Sequence, residues 1–361
     1  MEKFLKILDE AINLEASDIH LLEGRSPVYR VQKNLVTEES IEVLTKYDLE
    51  SLMEYIVNDS LELVEIFEST KRLDISYEYK GKRFRINASM SMEIPTFSIR
   101  VIKNERIDLE KHNLTDLIKV IGQFNSGLIL ITGKVNSGKT TTLNALVQTI
   151  NKKEKKKIIM LEEPIEYTHE SERSIIIQKE VGKAGDIPSY YDGVINLLRE
   201  DSDIAIIGEI RDRATMDAVL DLAESGTLVI GTLHTRSCGE TLDRILGLYE
   251  PAEQKSVKYV LSSVIKTIIS QKLVKDKNDE LLMIPEIMVN NKTIAALIRQ
   301  ETFSISEIQD AINLRNAQGT ISFERSFVQA YKNGQITIEK IRESVEDDQY
   351  EYILKLIGGD I

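Results

Sequence analysis

The sequence predicts an α/β protein with a small mixed domain at its N-terminus, a mostly parallel sheet covered by helices in its middle, and a helical tail. Three observations carry this. Residues 127–146, GLILITGKVNSGKTTTLNAL, read as strand, glycine loop and helix. Between residue 127 and about 275, four short apolar runs (128–132, 158–161, 204–207 and 228–233) alternate with helical patterns, the signature of parallel strands buried on both faces. Before residue 110, alternating runs are joined by short connections, which implies antiparallel pairing.

Along the N-terminal part, Phe4, Leu5, Ile7, Leu8, Ala11 and Ile12 recur at helical spacing. Residues 16–24 and 27–34 read as a hairpin, and 47–67 as largely helical. Residues 73–79 and 83–88 alternate in strand fashion around the turn signal Lys80-Gly81. Residues 95–102 read as a further strand, and 104–126 as a polar link and a helix leading to the glycine loop. From 285 to 361 the pattern is mostly helical and polar-faced. The expected domains are 1–110, 111–285 and 286–361.

Composition sets the class. A chain of 361 residues is long for one domain, and 42% hydrophobic residues is ordinary for a soluble globular protein. No apolar run approaches the ~18 residues that span a bilayer. The N-terminus mixes acidic and basic residues without an apolar core, so it is not read as a signal peptide. The single cysteine, Cys238, excludes an internal disulfide and a four-cysteine zinc site; it reads as a small loop residue. A cytoplasmic protein is expected. The net charge of −13 argues against a nucleic-acid partner. The basic run 152–157 reads as a solvated loop between helix and strand.

The chemistry centres on residues 133–140, GKVNSGKT, which fit G-x-x-x-x-G-K-[ST] in full. Gly133 and Gly138 let backbone N–H groups turn inward around phosphate oxygens, with Asn136 and Ser137 between them and Thr141 opening the helix. The helix N-terminus adds partial positive charge. Lys139 is placed to reach the β- and γ-phosphates of ATP, and the Thr140 hydroxyl to hold Mg²⁺. Glu209 follows a second apolar strand and a glycine; it is placed to orient or deprotonate the attacking water and to hold the metal through water. Glu162, Glu163 and Glu166 sit at the C-terminal end of a third strand, the end that faces the ligand crevice in open α/β sheets. His234 ends a fourth strand. It either bonds a γ-phosphate or the catalytic glutamate, or is a buried histidine satisfied by backbone. Candidates for a charge-neutralising cation are Arg83, Arg85, Arg100, Arg199, Arg211 and Arg244, any one of which can equally be a surface ion pair.

In this order, ASDIHLLEG with PVYRV, RFRIN (83–87), FSIRVI (97–102), LEEPIEYTH (161–169), QKEVG (178–182), LREDSDIAIIGEIRD (198–212) and AESGTLVIGTLHT (223–235) resemble the type II/IV secretion and pilus ATPase family over nearly the whole chain. IAALIR (294–299) and residues 319–340 are similar to its PilT-type retraction branch. The resemblance implies a PAS-like N-terminal domain, a RecA-like P-loop domain and a helical tail. It further implies a cytoplasmic homo-hexamer that hydrolyses ATP with Mg²⁺ and works on an inner-membrane pilus platform protein. Glu209 matches the catalytic acid, Glu166 the required glutamate of the acidic box, and Arg83 and Arg100 the arginines that approach the phosphates. Extension, secretion and competence motors, a nucleotide-holding regulator and a nucleic-acid translocase are the alternatives. The chain departs from the family pattern at Lys134, Val135 and Asn136 in the loop, at Glu163 for Asp, at Thr227 for the first histidine of its box, at Ile195 for an arginine, and at SMSME (89–93) for an arginine-rich turn. Slower or altered turnover follows from the lost histidine and arginines.

Overall fold

The structure is a computed structural model and describes residues 2–32, 34–38, 41–57, 60–102, 114–182, 185–314 and 318–358. The expected domain limit at residue 110 lies outside the described residues. The chain divides into two compact units. One holds Met1–Glu105 together with Glu163–Thr168 and Glu180–Pro188; the other holds Arg106–Glu162, His169–Lys179 and Ser189–Ile361.

The N-terminal unit contains α1 (Glu2–Asn13), β1 (Asp18–Leu21), β2 (Val28–Val31), β3 (Asn34–Thr37), α2 (Lys46–Val57), α3 (Leu61–Thr70), β4 (Arg72–Tyr79), β5 (Lys82–Ser91) and β6 (Ile94–Ile102). Phe4, Ile7, Leu8 and Ala11 form the buried stripe of α1. The stretch 47–67, expected to be largely helical, holds two helices, α2 and α3. Ser60 is extended and caps α3 by accepting from the Leu63 N–H. Apolar residues continue on both sides of this break, so periodicity alone does not reveal it. The strands pair antiparallel in the order β3-β2-β1-β6-β5-β4. β3, which the sequence reading did not separate, is an edge strand with all four residues exposed. Phe84, Ile86 and Ala88 of β5 join Phe97 and Ile99 of β6 in the core. The two-residue period then sends Arg83, Arg85 and Arg100 to the opposite face.

The second unit opens with α4 (Thr115–Ile121) and β7 (Gly127–Thr132), then α5 (Lys139–Lys153), β8 (Lys157–Glu162), β9 (Ile175–Glu180), α6 (Tyr190–Leu197), β10 (Ile204–Ile207), α7 (Arg213–Glu224), β11 (Leu228–Leu233), α8 (Cys238–Leu246), α9 (Pro251–Val264), β12 (Ile265–Lys275) and β13 (Leu281–Val289). The tail comprises α10 (Lys292–Arg299), α11 (Ile305–Asn313), α12 (Phe323–Lys332), α13 (Ile338–Ser344) and α14 (Asp347–Gly358). The sheet order is β13-β12-β7-β11-β10-β8-β9. The four expected strands are parallel neighbours in it. β12 adds in parallel beside β7, and β13 returns antiparallel. The stretch from 285 onward, expected to be mostly helical, opens with the last residues of β13 before the tail helices begin at Lys292. β12 is also weakly announced in the sequence, because Ile265 both closes α9 and opens β12, with no glycine or proline between them.

Every residue of β7, β10 and β11 is buried. Ile129, Ile131, Ile206 and Ile230 pack with Leu146 and Val147 of α5, each large side chain contributing about 1.5–3 kcal/mol. Ser189, Asp212, Ser237, Asn291, Ser304 and Thr337 each cap a helix by accepting the backbone N–H three residues on, worth about 1 kcal/mol apiece. Parallel strands present their C-terminal ends on one edge. The glycine loop, Glu162, Glu209 and His234 therefore all emerge at that edge. Among the described residues no helix is long and apolar enough to cross a membrane.

Candidate functional site: a phosphate-binding loop and its acid

The loop after β7 turns through backbone conformations that favour glycine. Gly133 has φ 154° and Gly138 φ 87°, with Asn136 at φ 64° between them. A side chain at Gly133 would also meet the Gln271 carbonyl oxygen at 2.6 Å. Lys139 folds back over the loop. Its ammonium donates to the carbonyls of Gly133 (3.0 Å) and Lys134 (3.1 Å) and lies 3.3 Å from His234 Nδ1. Burial lowers the Lys139 pKa, and the charge of Glu209 acts against that shift. Thr140 and Thr141 follow in the first turn of α5. The Ser137 hydroxyl oxygen is buried without a hydrogen-bond partner among the described residues, which leaves a spare donor in the loop.

Glu209 follows β10 through Gly208. The Gly208 N–H donates to the Leu161 carbonyl at 2.8 Å, and a Cβ on Gly208 would meet Tyr190 Oη at 2.8 Å and the Leu161 oxygen at 2.9 Å. Only glycine lets the two strand ends approach this closely. Glu209 accepts from Arg211 Nη2 at 2.8 Å and lies 3.2 Å from His234 Nε2. Burial pushes its carboxyl pKa upward, but Arg211 and His234 together outweigh burial and hold it below the ordinary carboxylate range. His234 thus stands between Lys139 and Glu209. With the Lys139 ammonium donating to Nδ1, the neutral ring carries its proton on Nε2 and donates it to Glu209. The side chain is 40% exposed, so the buried, backbone-satisfied alternative does not describe it.

The second unit therefore gathers Gly133, Asn136, Ser137, Gly138, Lys139, Thr140, Thr141, Glu162, Glu209 and His234. Glu162 is buried and accepts from Gln178 Nε2 at 2.9 Å. Arg83, Arg85, Arg100, Glu163 and Glu166 fall in the N-terminal unit. There Arg83 pairs with Glu180, Arg85 binds Asp74 through two nitrogens, and Arg100 Nε lies 3.2 Å from Asp18. Thr227 sits at the start of β11, the opposite end from His234, and its backbone carbonyl accepts from the Gly127 N–H at 3.1 Å. The histidine expected there is thus absent from a place remote from the Lys139–His234–Glu209 string.

Sequence reasoning missed Gln271. This β12 residue is 1% exposed. Its Nε2 donates to the Ser137 carbonyl at 2.8 Å, and its Oε1 accepts from Thr142 Oγ1 at 3.1 Å. It braces both sides of the loop from a distant strand. No motif marks it, because the link depends on β12 lying beside β7.

The residues fit a nucleotide with its metal. The spare Ser137 hydroxyl and the loop amides suit phosphate oxygens. Among the described residues there is no cluster of three or more His, Cys, Asp or Glu side chains able to cage an ion. A parallel sheet with this loop and its lysine after β7, and an acid after β10 at the same edge with β11 between, defines a P-loop ATPase. The type II/IV secretion system protein family matches residues 1–303, and the chain belongs to that family. It is 32% identical to the type IV pilus retraction ATPase PilT of Pseudomonas aeruginosa PAO1 over 332 residues, 92% of this chain and 94% of that protein. Among solved structures, the pilus retraction motor PilT with bound ADP superimposes with a TM-score of 0.83 at 32% identity, covering 95% of this chain and 97% of that one. The Legionella pneumophila ATPase DotB gives a TM-score of 0.79 at 24% identity, covering 97% and 94%, and shares the fold.

Proposed function

We propose that this chain is the ATP-hydrolysing motor that retracts a type IV pilus, acting as a cytoplasmic homo-hexamer on an inner-membrane platform protein. The string Lys139–His234–Glu209 at the phosphate loop carries the ATPase reading. Its retraction assignment is supported by the likeness to PilT across both chains.

The chemistry follows from the residues. ATP phosphates entering the loop replace the Gly133 and Lys134 carbonyls as partners of the Lys139 ammonium, which then neutralises charge building on the γ-phosphoryl oxygens. The Ser137 hydroxyl and the α5 N-terminus add donors. Glu209, ionised by its neighbours, accepts a hydrogen bond from the attacking water and aligns it. His234 holds Glu209 at its Nε2 and reports on Lys139 at its Nδ1. Mg²⁺, when bound, supplies Lewis-acid charge neutralisation, and Thr140 with Glu209 through water would hold it. Arg83, Arg85 and Arg100 offer a second source of positive charge, and Glu163 and Glu166 further carboxylates, once the subunits of a ring come together. An apolar recess of about 100 Å³ beside Gly138 and Thr141, lined by Leu114, Leu273, Leu281 and Met283, is suited to the flat face of a nucleobase.

The test is phosphate release by the purified chain and its Lys139→Ala variant. Turnover is expected to disappear in the variant; a parental rate would overturn the site. In the cell, deletion is expected to leave hyperpiliated, immotile cells, whereas bald cells would point to an extension motor.

A further inference from the structure

The acidic segment between β8 and β9 is held by a chain of polar contacts. Gln178 grips both of its feet. Its Nε2 donates to Glu162 Oε1 at 2.9 Å and its Oε1 accepts from the His169 backbone N–H at 2.9 Å. The His169 ring then reaches α5, with Nε2 beside Asn144 Oδ1. Asn144, 1% exposed, donates its amide to the Thr140 carbonyl at 2.8 Å. About two helical turns further on, buried Asn151 binds the continuation of the same segment, donating to the Glu170 carbonyl at 2.8 Å and accepting from the Glu172 N–H at 2.9 Å. Glu162 and His169 are thus joined through Gln178, and His169 latches them to the helix that carries Lys139 and Thr140.

We propose that His169 is a positioning residue for ATP hydrolysis: its ring N–H bond to Asn144 ties Glu162, through Gln178, to the phosphate-loop helix. The Asn144 NH₂ is committed to Thr140, so its oxygen faces the ring and His169 Nε2 must carry the hydrogen. Burial lowers the His169 pKa to about 4, which keeps the ring a neutral single donor. The latch binds no phosphate itself. Its loss lets Glu162 and Gln178 drift relative to the first turn of α5, and a misplacement of about 1 Å can cost on the order of a hundredfold in rate.

This rests on the phosphate loop being the hydrolytic site, and the test separates the two. In the full chain, His169→Ala is expected to lower kcat about ten- to a hundredfold while leaving KM for ATP nearly unchanged. His169→Gln, which retains a side-chain N–H donor, is expected to restore most of the rate. The Asn144→Ala/His169→Ala double variant is expected to lose no more than the worse single variant. Long-range ¹H–¹⁵N spectra of the unliganded parent, and of Lys139→Ala, are expected to show His169 as the Nε2–H tautomer near neutral pH. A parental kcat in His169→Ala, equal losses in the Ala and Gln variants, additive losses, or an Nδ1–H tautomer would each overturn the latch. A Lys139→Ala protein that still hydrolyses ATP would instead overturn the hydrolytic site, with the tautomer reading intact.

Discussion

Arg85 lies directly opposite Arg100 across the β5–β6 ladder. Two guanidinium groups at paired positions repel. Each is compensated from its other side, Arg85 by Asp74 and Arg100 by Asp18. The Asp74 contact raises the Arg85 pKa, with smaller help from Glu166 and Glu180. The fold thus keeps two cations side by side on one face of the N-terminal sheet, each held by an aspartate.

Asp74→Ala removes one compensating charge. Because the pair is partly exposed, the loss of stability should stay below about 1 kcal/mol and shrink at high salt. Urea unfolding at low and high ionic strength checks this. In the Arg100→Ala variant of that protein the deficit should vanish, since the repulsion is gone.

Glu209→Gln should bind ADP like the parent but hydrolyse ATP slower by roughly 10²–10⁴-fold. The pH dependence has a definite sign. The folded carboxyl has a lowered pKa, so its ion pairs stabilise the fold above the unfolded value and are lost as pH falls through the folded one. Thermal midpoints of parent and variant should therefore differ near neutrality and converge in acid. A gap that widened on acidification would contradict the Arg211 and His234 contacts.

Gly208→Ala drives a methyl group into Tyr190 Oη and the Leu161 carbonyl. Overpacking of this kind costs about 1–3 kcal/mol. Tyr190→Phe in the same chain removes one of the two opposing atoms and should recover part of the loss in chemical denaturation, while Leu161 still opposes the rest.

Gln271→Leu leaves the Ser137 carbonyl and the Thr142 hydroxyl without their buried partner. An unmet buried group costs about 1–3 kcal/mol. The loop should also loosen, so ADP affinity measured by calorimetry should fall with stability. Unchanged ADP binding would show that Gln271 supports the sheet and not the loop.

Much of the site was readable because it is local. Gly133, Gly138, Lys139 and Thr140 lie in eight residues whose backbone conformations and helix start depend on one another, and the four apolar strands that flank them announce burial on both faces. Placing Glu162, Glu209 and His234 at one edge followed from parallel strands alone. Other features gave weaker signals. The break at Ser60 hides inside a continuing apolar pattern, β12 grows out of α9 without punctuation, and β3 is a four-residue exposed edge.

Contiguous residues thus specified the phosphate-binding loop with its lysine and hydroxyl, because a loop of glycines and a helix start need no distant help to take shape. Partners far apart in the chain came only with the folded sheet. Gln271 reaches Ser137 because β12 chose β7 as its neighbour, His234 joins Lys139 to Glu209 because β11 lies between β7 and β10, and His169 finds Asn144 because its segment folds back on α5. Strand order and side-chain packing set those meetings, and both are collective properties that no short stretch of sequence contains.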